Sequence, residues 1–89
     1  MKIKYFAWIR ELTKNDEEHL DFDKIKNLDS IEIDNLDKLK IFMVSKYPDL
    51  KKHLDQEVLR FAVNQEYVVE NIDLNEDDEI AVFPPVSGG

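Results

Sequence analysis

Hydrophobic and polar residues alternate at the start of the chain, which is typical of a strand with one buried face. The residues on the first face are apolar, and they are Ile3, Tyr5, Ala7 and Ile9. The pattern therefore predicts a strand over residues 3–9 whose first face enters the core. Phe6 and Trp8 lie on the opposite face, where they either contact a partner or are covered by a helix. A helical turn is predicted next, over residues 10–13.

The following twenty residues carry a weaker pattern. Residues 15–18 are polar and include turn-forming types, so they predict a loop. One or two strands that pair with the first are indicated by two short alternating pairs, Leu20 with Phe22 and Ile31 with Ile33.

A helix is the strongest element that the pattern predicts. Asp34 or Asn35 can accept hydrogen bonds from the free N–H groups at its start. Apolar residues then recur at helical spacing, at Leu36, Leu39, Met43 and Tyr47. Pro48 ends this helix because proline lacks the N–H that a helix interior needs. A further short helix is predicted over residues 49–54.

The second half of the chain returns to alternation and predicts three more strands. Residues 58–63 and 67–69 form a hairpin around a turn at Asn64–Gln65. Residues 79–83 form the last strand, in which Phe83 faces outward.

The order of these elements predicts an α+β fold. It is a mixed sheet of four to five strands with one main helix packed on one face. Residues 1–83 would form this single domain, and residues 84–89 a flexible C-terminal tail. Pro84 and Pro85 stop the last strand and keep the start of the tail extended, since proline fixes φ and cannot donate to a ladder.

Composition and charge narrow the classes of partner. The chain has 89 residues with twenty acidic against twelve basic side chains, a formal net charge of −8. This charge repels phosphate backbones and anionic membrane surfaces, so we expect no nucleic acid and no membrane partner. No signal peptide or spanning apolar run is found, and the expected location is cytoplasmic. The sequence contains no cysteine, which excludes disulfides and thiolate chemistry.

The tail is the most informative segment for function. The only two glycines of the chain are Gly88 and Gly89, although average usage of about 7% would give roughly six. A terminus without side chains can enter a narrow channel and leave its carboxyl group open to attack. The alternative is a frayed end without function, which is common among chain termini.

No catalytic or metal site is predicted within the domain. His19 and His53 are 34 positions apart and lie in no metal-ligand spacing. Residues 73–78 imitate the start of a calcium loop but lack the glycine and the glutamate that such a loop needs. We expect no bound metal, no cofactor held by this chain and no enzymatic activity of its own.

Several motifs together resemble one known family, the small sulfur-carrying subunit of molybdopterin synthase. The matching stretches are Phe6-Ala7 followed by Arg10-Glu11-Leu12, Phe61-Ala62-Val63-Asn64-Gln65, Glu76-Asp77-Asp78-Glu79 and, above all, Val82-Phe83-Pro84-Pro85-Val86-Ser87-Gly88-Gly89. The resemblance implies a ubiquitin-like β-grasp fold.

It also implies a cycle of activation and transfer at the chain end. An adenylyltransferase related to ubiquitin-activating enzymes would use ATP to adenylate the Gly89 carboxylate, and a sulfur donor would convert it to a thiocarboxylate. Gly88, which has no side chain, would allow the tail to enter the partner's active site. The sulfur would then pass to a cyclic pyranopterin precursor in the large catalytic subunit, in a heterotetramer of two small and two large subunits, and form the dithiolene that binds molybdenum.

The resemblance further implies a docking surface around the tail. Phe6, Tyr67 and Phe83 would form an aromatic patch that contacts both partners, with Arg10 at its rim. The tail residues Pro84, Pro85, Val86 and Ser87 would contact the same partners. Three other functions stay open. The chain could be a ubiquitin-like protein modifier, a sulfur carrier for thiamine synthesis or tRNA thiolation, or a plain interaction module with an inert tail.

Overall fold

The computed structural model describes residues 1–21 and 32–85 of the chain. In chain order, the elements are β1 (Lys2–Tyr5), α1 (Trp8–Thr13), β2 (Glu17–His19), α2 (Leu36–Lys46), a 3-10 turn (Pro48–Leu50), α3 (Lys51–Asp55), β3 (Arg60–Val63), β4 (Glu66–Val68) and β5 (Glu79–Phe83). The predicted strand residues Phe22 and Ile31 lie outside the described residues.

The five strands form one mixed sheet in the order β2-β1-β5-β3-β4. β5 lies between β1, to which it is parallel, and β3, to which it is antiparallel. The outer pairs, β1 with β2 and β3 with β4, are both antiparallel. With the helices on one face, this arrangement is the predicted α+β architecture, and the fold class is confirmed.

The core lies between the sheet and α2. Alternate strand residues face the helices and are almost fully buried, and they include Ile3, Tyr5, Phe61, Ile80 and Val82. They meet the apolar side of α2, which consists of Leu36, Leu39 and Met43. Side chains return to the same face every two residues in a strand and every 3.6 residues in a helix, so each element buries one face.

The bounds of α2 follow from the residues at its two ends. The side chain of Asn35 accepts a hydrogen bond from the Lys38 N–H at 2.9 Å, which satisfies one of the free donors at the helix start. At the other end Tyr47 leaves the helical region and Pro48 begins the 3-10 turn. Both ends agree with the prediction, and α3 confirms the short helix expected after Pro48.

The first strand is shorter than predicted. β1 ends at Tyr5, and Ala7 has a positive φ of 54° that turns the chain into α1. Ile9 is buried as expected, but from α1, where Thr13 is buried one turn later. An apolar residue four positions after Tyr5 fits both a strand and this helix, so alternation alone could not show where the strand ends.

The loop predicted over residues 15–18 is also wrong in part. Glu17 and Glu18 belong to β2, which pairs with β1 through Ile3↔Glu18. Ile33 is buried as expected, but it lies in no strand. The strand was missed because its side chains are charged, whereas its pairing depends on backbone groups.

Candidate functional site

The sheet face that points away from the helices, called here the outer face, is polar at one end. Lys2 forms an ion pair with Glu17 at 3.1 Å, and Lys4 forms one with Glu79 at 3.0 Å. The hydrogen bond from Lys4 lowers the pKa of the Glu79 carboxyl and raises that of Lys4 itself. These opposite charges cancel, so this end of the outer face has little net charge.

The other end of the outer face is aromatic. The rings of Tyr67 and Phe83 lie 6.1 Å apart between centroids at an angle of 55°. Phe6 follows β1 at the same end, and its N–H donates to the Val82 carbonyl at 3.0 Å. Phe6 is 44% exposed and Tyr67 is 56% exposed. The structure therefore places all three residues of the aromatic patch at one end of the outer face.

The tail begins at this same end. β5 ends at Phe83, after which Pro84 is half-buried and Pro85 is exposed. Val86, Ser87, Gly88 and Gly89 lie outside the described residues. The aromatic patch consequently surrounds the point at which the chain leaves the sheet.

Of the two aromatic residues considered after Tyr5, only Phe6 is well exposed. Trp8 lies on α1, packs against the core and contacts the His53 ring at 4.7 Å between centroids. Arg10 is exposed on the same helix, with its guanidinium 3.6 Å from the Asp16 carboxylate. A role for Arg10 at the rim of the patch stays a prediction.

The described part of the chain contains no candidate metal site and no candidate membrane span. Within residues 1–21 and 32–85, no group of three His, Asp or Glu side chains could hold a metal ion. In the turn that imitates a calcium loop, Asp78 accepts hydrogen bonds from the Asn75 N–H and the Asn64 side chain, at 2.7 and 2.9 Å. No helix in those ranges combines the length and apolar composition needed to cross a bilayer.

The sequence pattern of the ThiS family matches residues 3–89. The chain belongs to the ThiS family. This match agrees with the resemblance inferred from the motifs, and the names of two relatives confirm it.

Relatives of this ThiS chain carry informative names. It is 38% identical over 99% of its length to a "Molybdopterin synthase sulfur carrier subunit" of Dictyostelium discoideum, covering 94% of that protein. It is 33% identical over its full length to the protein of the same name in Caenorhabditis briggsae, of which 96% is covered. Both relatives are named as carrier subunits, in agreement with the expected non-catalytic role.

Solved structures share the fold. A putative molybdopterin converting factor, subunit 1, from Pyrococcus furiosus superposes with a TM-score of 0.75 at 27% identity, covering 96% of this chain and 95% of that one. The small archaeal modifier protein 1 of Methanosarcina acetivorans gives a TM-score of 0.72 at 25% identity, with coverages of 99% and 94%.

One residue of the ThiS chain at this end of the sheet was missed in the sequence. Arg60, the first residue of β3, lies directly opposite Phe83 in the antiparallel register. Its guanidinium donates to the Glu57 carbonyl at 2.6 Å. The outward position of Arg60 follows from the alternation with Leu59 and Phe61. Its neighbour Phe83 is 23 residues away in the sequence, so the pattern alone does not show that the two are adjacent.

A second missed feature is a polar cluster on the opposite, helix-facing side of the sheet. The Glu18 carboxylate accepts hydrogen bonds from the Tyr5 hydroxyl at 2.8 Å, the Tyr47 hydroxyl at 2.9 Å and the Lys46 ammonium at 2.7 Å. Its side chain is only 10% exposed. The cluster joins β1, β2 and the end of α2, so it supports the fold from the side remote from the aromatic patch.

Proposed function

We propose that the chain is the sulfur carrier subunit of a molybdopterin synthase. The observation that carries this proposal is its 38% identity, over 99% of its length, to a subunit of that name. The Gly88-Gly89 end and the aromatic patch at the base of the tail support the same role.

The chemistry takes place at the Gly89 carboxyl group. The carboxylate attacks ATP bound by the adenylyltransferase, pyrophosphate leaves, and an acyl adenylate forms. Hydrosulfide supplied by a sulfur donor then attacks the acyl carbon, AMP leaves with the electron pair of the broken C–O bond, and the thioacid loses its proton. The resulting thiocarboxylate carries the sulfur to the pyranopterin precursor in the large subunit.

The role of the folded domain is to hold this chain end and to provide a binding surface for its partners. The aromatic patch gives each partner an apolar surface at the base of the tail, where aromatic anchors contribute most of the binding energy in protein interfaces. Two carriers would bind two large subunits, so that each active site receives its own tail.

Intact mass spectrometry tests the proposed chemistry. After incubation with the adenylyltransferase, ATP and a sulfur source, the mass should rise by about 16 Da as sulfur replaces oxygen. A variant lacking Gly89 is the matched control and should keep its mass. An unchanged mass of the parent chain in a mixture that thiolates a known carrier would contradict the proposal.

A second candidate is a protein modifier, because a solved neighbour at 25% identity is named as a small archaeal modifier protein. This function would join Gly89 to lysine side chains of target proteins. It predicts a ladder of conjugates in cell extracts that disappears when Gly89 is deleted. The carrier function predicts a free thiocarboxylate and no ladder.

A further inference from the structure

Arg60 lies at the base of the tail. It is half-buried on the outer face, opposite Phe83 and in the strand beside β5. One of its five N–H donors binds the Glu57 carbonyl. The planar guanidinium therefore keeps further donors for a group that approaches from outside.

The charge of Arg60 is not neutralised by the rest of the outer face. The Lys and Glu side chains at the polar end pair with each other, through Lys2 with Glu17 and Lys4 with Glu79. Within the described ranges, Arg60 forms no ion pair with a carboxylate. A chain with a net charge of −8 thus presents the positive charge of Arg60 beside its aromatic patch.

The length of the tail brings a partner that receives Gly89 close to this position. Six residues follow Phe83, and even fully extended they span only about 20 Å. An active site that receives Gly89 must lie within that distance of Phe83. A partner surface this close to Phe83 is also close to Arg60, its neighbour across the strands.

The surface continues past Arg60 around the free edge of β4. A groove of about 360 Å³ lies there between the β4 edge and α2, with Leu59 and Phe61 among its apolar lining. Its charged lining residues are Arg60, Lys40 and Glu57. Val69 is 79% exposed, the most exposed large apolar side chain of the described chain. The groove gives a partner side chain room to reach the guanidinium from the side.

We propose that the large synthase subunit places an Asp or Glu side chain on Arg60 when it receives the tail. This inference rests on the proposed function. Covering a guanidinium without a counter-charge is costly, whereas a carboxylate can accept two parallel N–H bonds from its planar fork. Arg60 is then a specificity-determining residue that selects a partner with an acidic group beside its apolar docking surface.

Calorimetric titration of the large subunit with the full chain tests this pairing. Arg60→Met removes the charge and retains much of the apolar stem, and it should weaken binding about 30-fold or more, as expected when one member of a desolvated ion pair is lost. Lys52→Met is the matched control, because Lys52 is exposed on α3 and forms no ion pair within the described part of the chain. It should change affinity less than twofold.

A second experiment is a charge exchange, in which the acidic surface residues of the large subunit are replaced one at a time by Arg and each variant is titrated with the parent chain and with Arg60→Glu. One such variant of the large subunit should no longer bind the parent chain but should bind the Arg60→Glu chain. Parent-like affinity of Arg60→Met, or no such rescue, would overturn the inference while the proposed function stands. No binding of the parent chain to the large subunit would overturn both.

Discussion

Glu18 connects three segments that are far apart in the sequence. Burial by itself would raise the pKa of its carboxyl, but hydrogen bonds from Lys46, Tyr5 and Tyr47 outweigh this and lower the pKa below its ordinary value of 4.5. The same cluster raises the pKa of the Tyr5 hydroxyl, first through burial and then through its bond to Glu18. The carboxylate is therefore stabilised in its charged form.

Replacing Glu18 by Gln should lower the free energy of unfolding by about 2 kcal/mol, because charge-assisted hydrogen bonds become neutral ones. Chemical denaturation at neutral pH measures this change. Glu17→Gln is the control, since Glu17 lies on the outer face in an exposed pair, and it should cost less than about 0.5 kcal/mol. Equal losses in the two variants would show that the cluster adds no stability.

The lowered pKa of Glu18 also predicts a dependence on pH. A carboxyl whose pKa is lower in the folded state adds stability above its unfolded pKa of about 4.5, and this contribution disappears as the pH falls through the folded pKa. The stability gap between the parent chain and Glu18→Gln should therefore shrink as the pH falls below about 4.5. Denaturation curves of both proteins across this range measure the gap, and a constant gap would contradict the assignment.

Among the elements, the β3–β4 hairpin carries the most specific turn chemistry. Asn64 and Gln65 both have positive φ, at 51° and 71°, as a two-residue hairpin turn requires. The Asn64 side chain also accepts from the Glu79 N–H at 3.0 Å and donates to Asp78 at 2.9 Å. The turn thus holds the start of β5 as well as the hairpin.

Two substitutions in this turn should change stability in opposite directions. Gln65→Gly should raise the melting temperature, since glycine adopts positive φ without strain, a gain of about 0.5 kcal/mol. Asn64→Ala should cost about 2 kcal/mol, because it loses two hydrogen bonds and because alanine tolerates positive φ less well than asparagine. Thermal unfolding of both variants checks the pair. A neutral Asn64→Ala would mean that the bonds to Asp78 and Glu79 add nothing.

Elements with a clear period were predictable, and contacts across the sheet were not. The helical spacing of Leu36, Leu39 and Met43 identified α2, because one buried face of a helix has its own repeat. β2 has no apolar repeat, so only its pairing with β1 reveals it. The outward position of Phe83 was predictable because alternate positions of a single strand can be counted. Arg60 was not predicted as a site residue, because its position beside Phe83 depends on the register between β3 and β5.

At the level of the whole molecule, the domain and its chemistry are separable. The buried core ends at Val82, and no residue beyond it belongs to the core of the described chain. Removing Gly88 and Gly89 should therefore leave the melting temperature within about 1 °C of the parent value, while abolishing the mass gain on thiolation. Calorimetry and mass spectrometry on one preparation test both parts. A large fall in melting temperature would show that the tail also stabilises the domain.

The central position of β5 has a mechanical consequence. A partner that grips the tail applies tension along β5, which is hydrogen-bonded to β1 on one side and to β3 on the other. Such a load along the strand axis shears both ladders at once, whereas an edge strand is held by one ladder alone. The domain is thus built to resist traction on its C-terminal end, and a partner can draw the tail in or release it without unravelling the sheet.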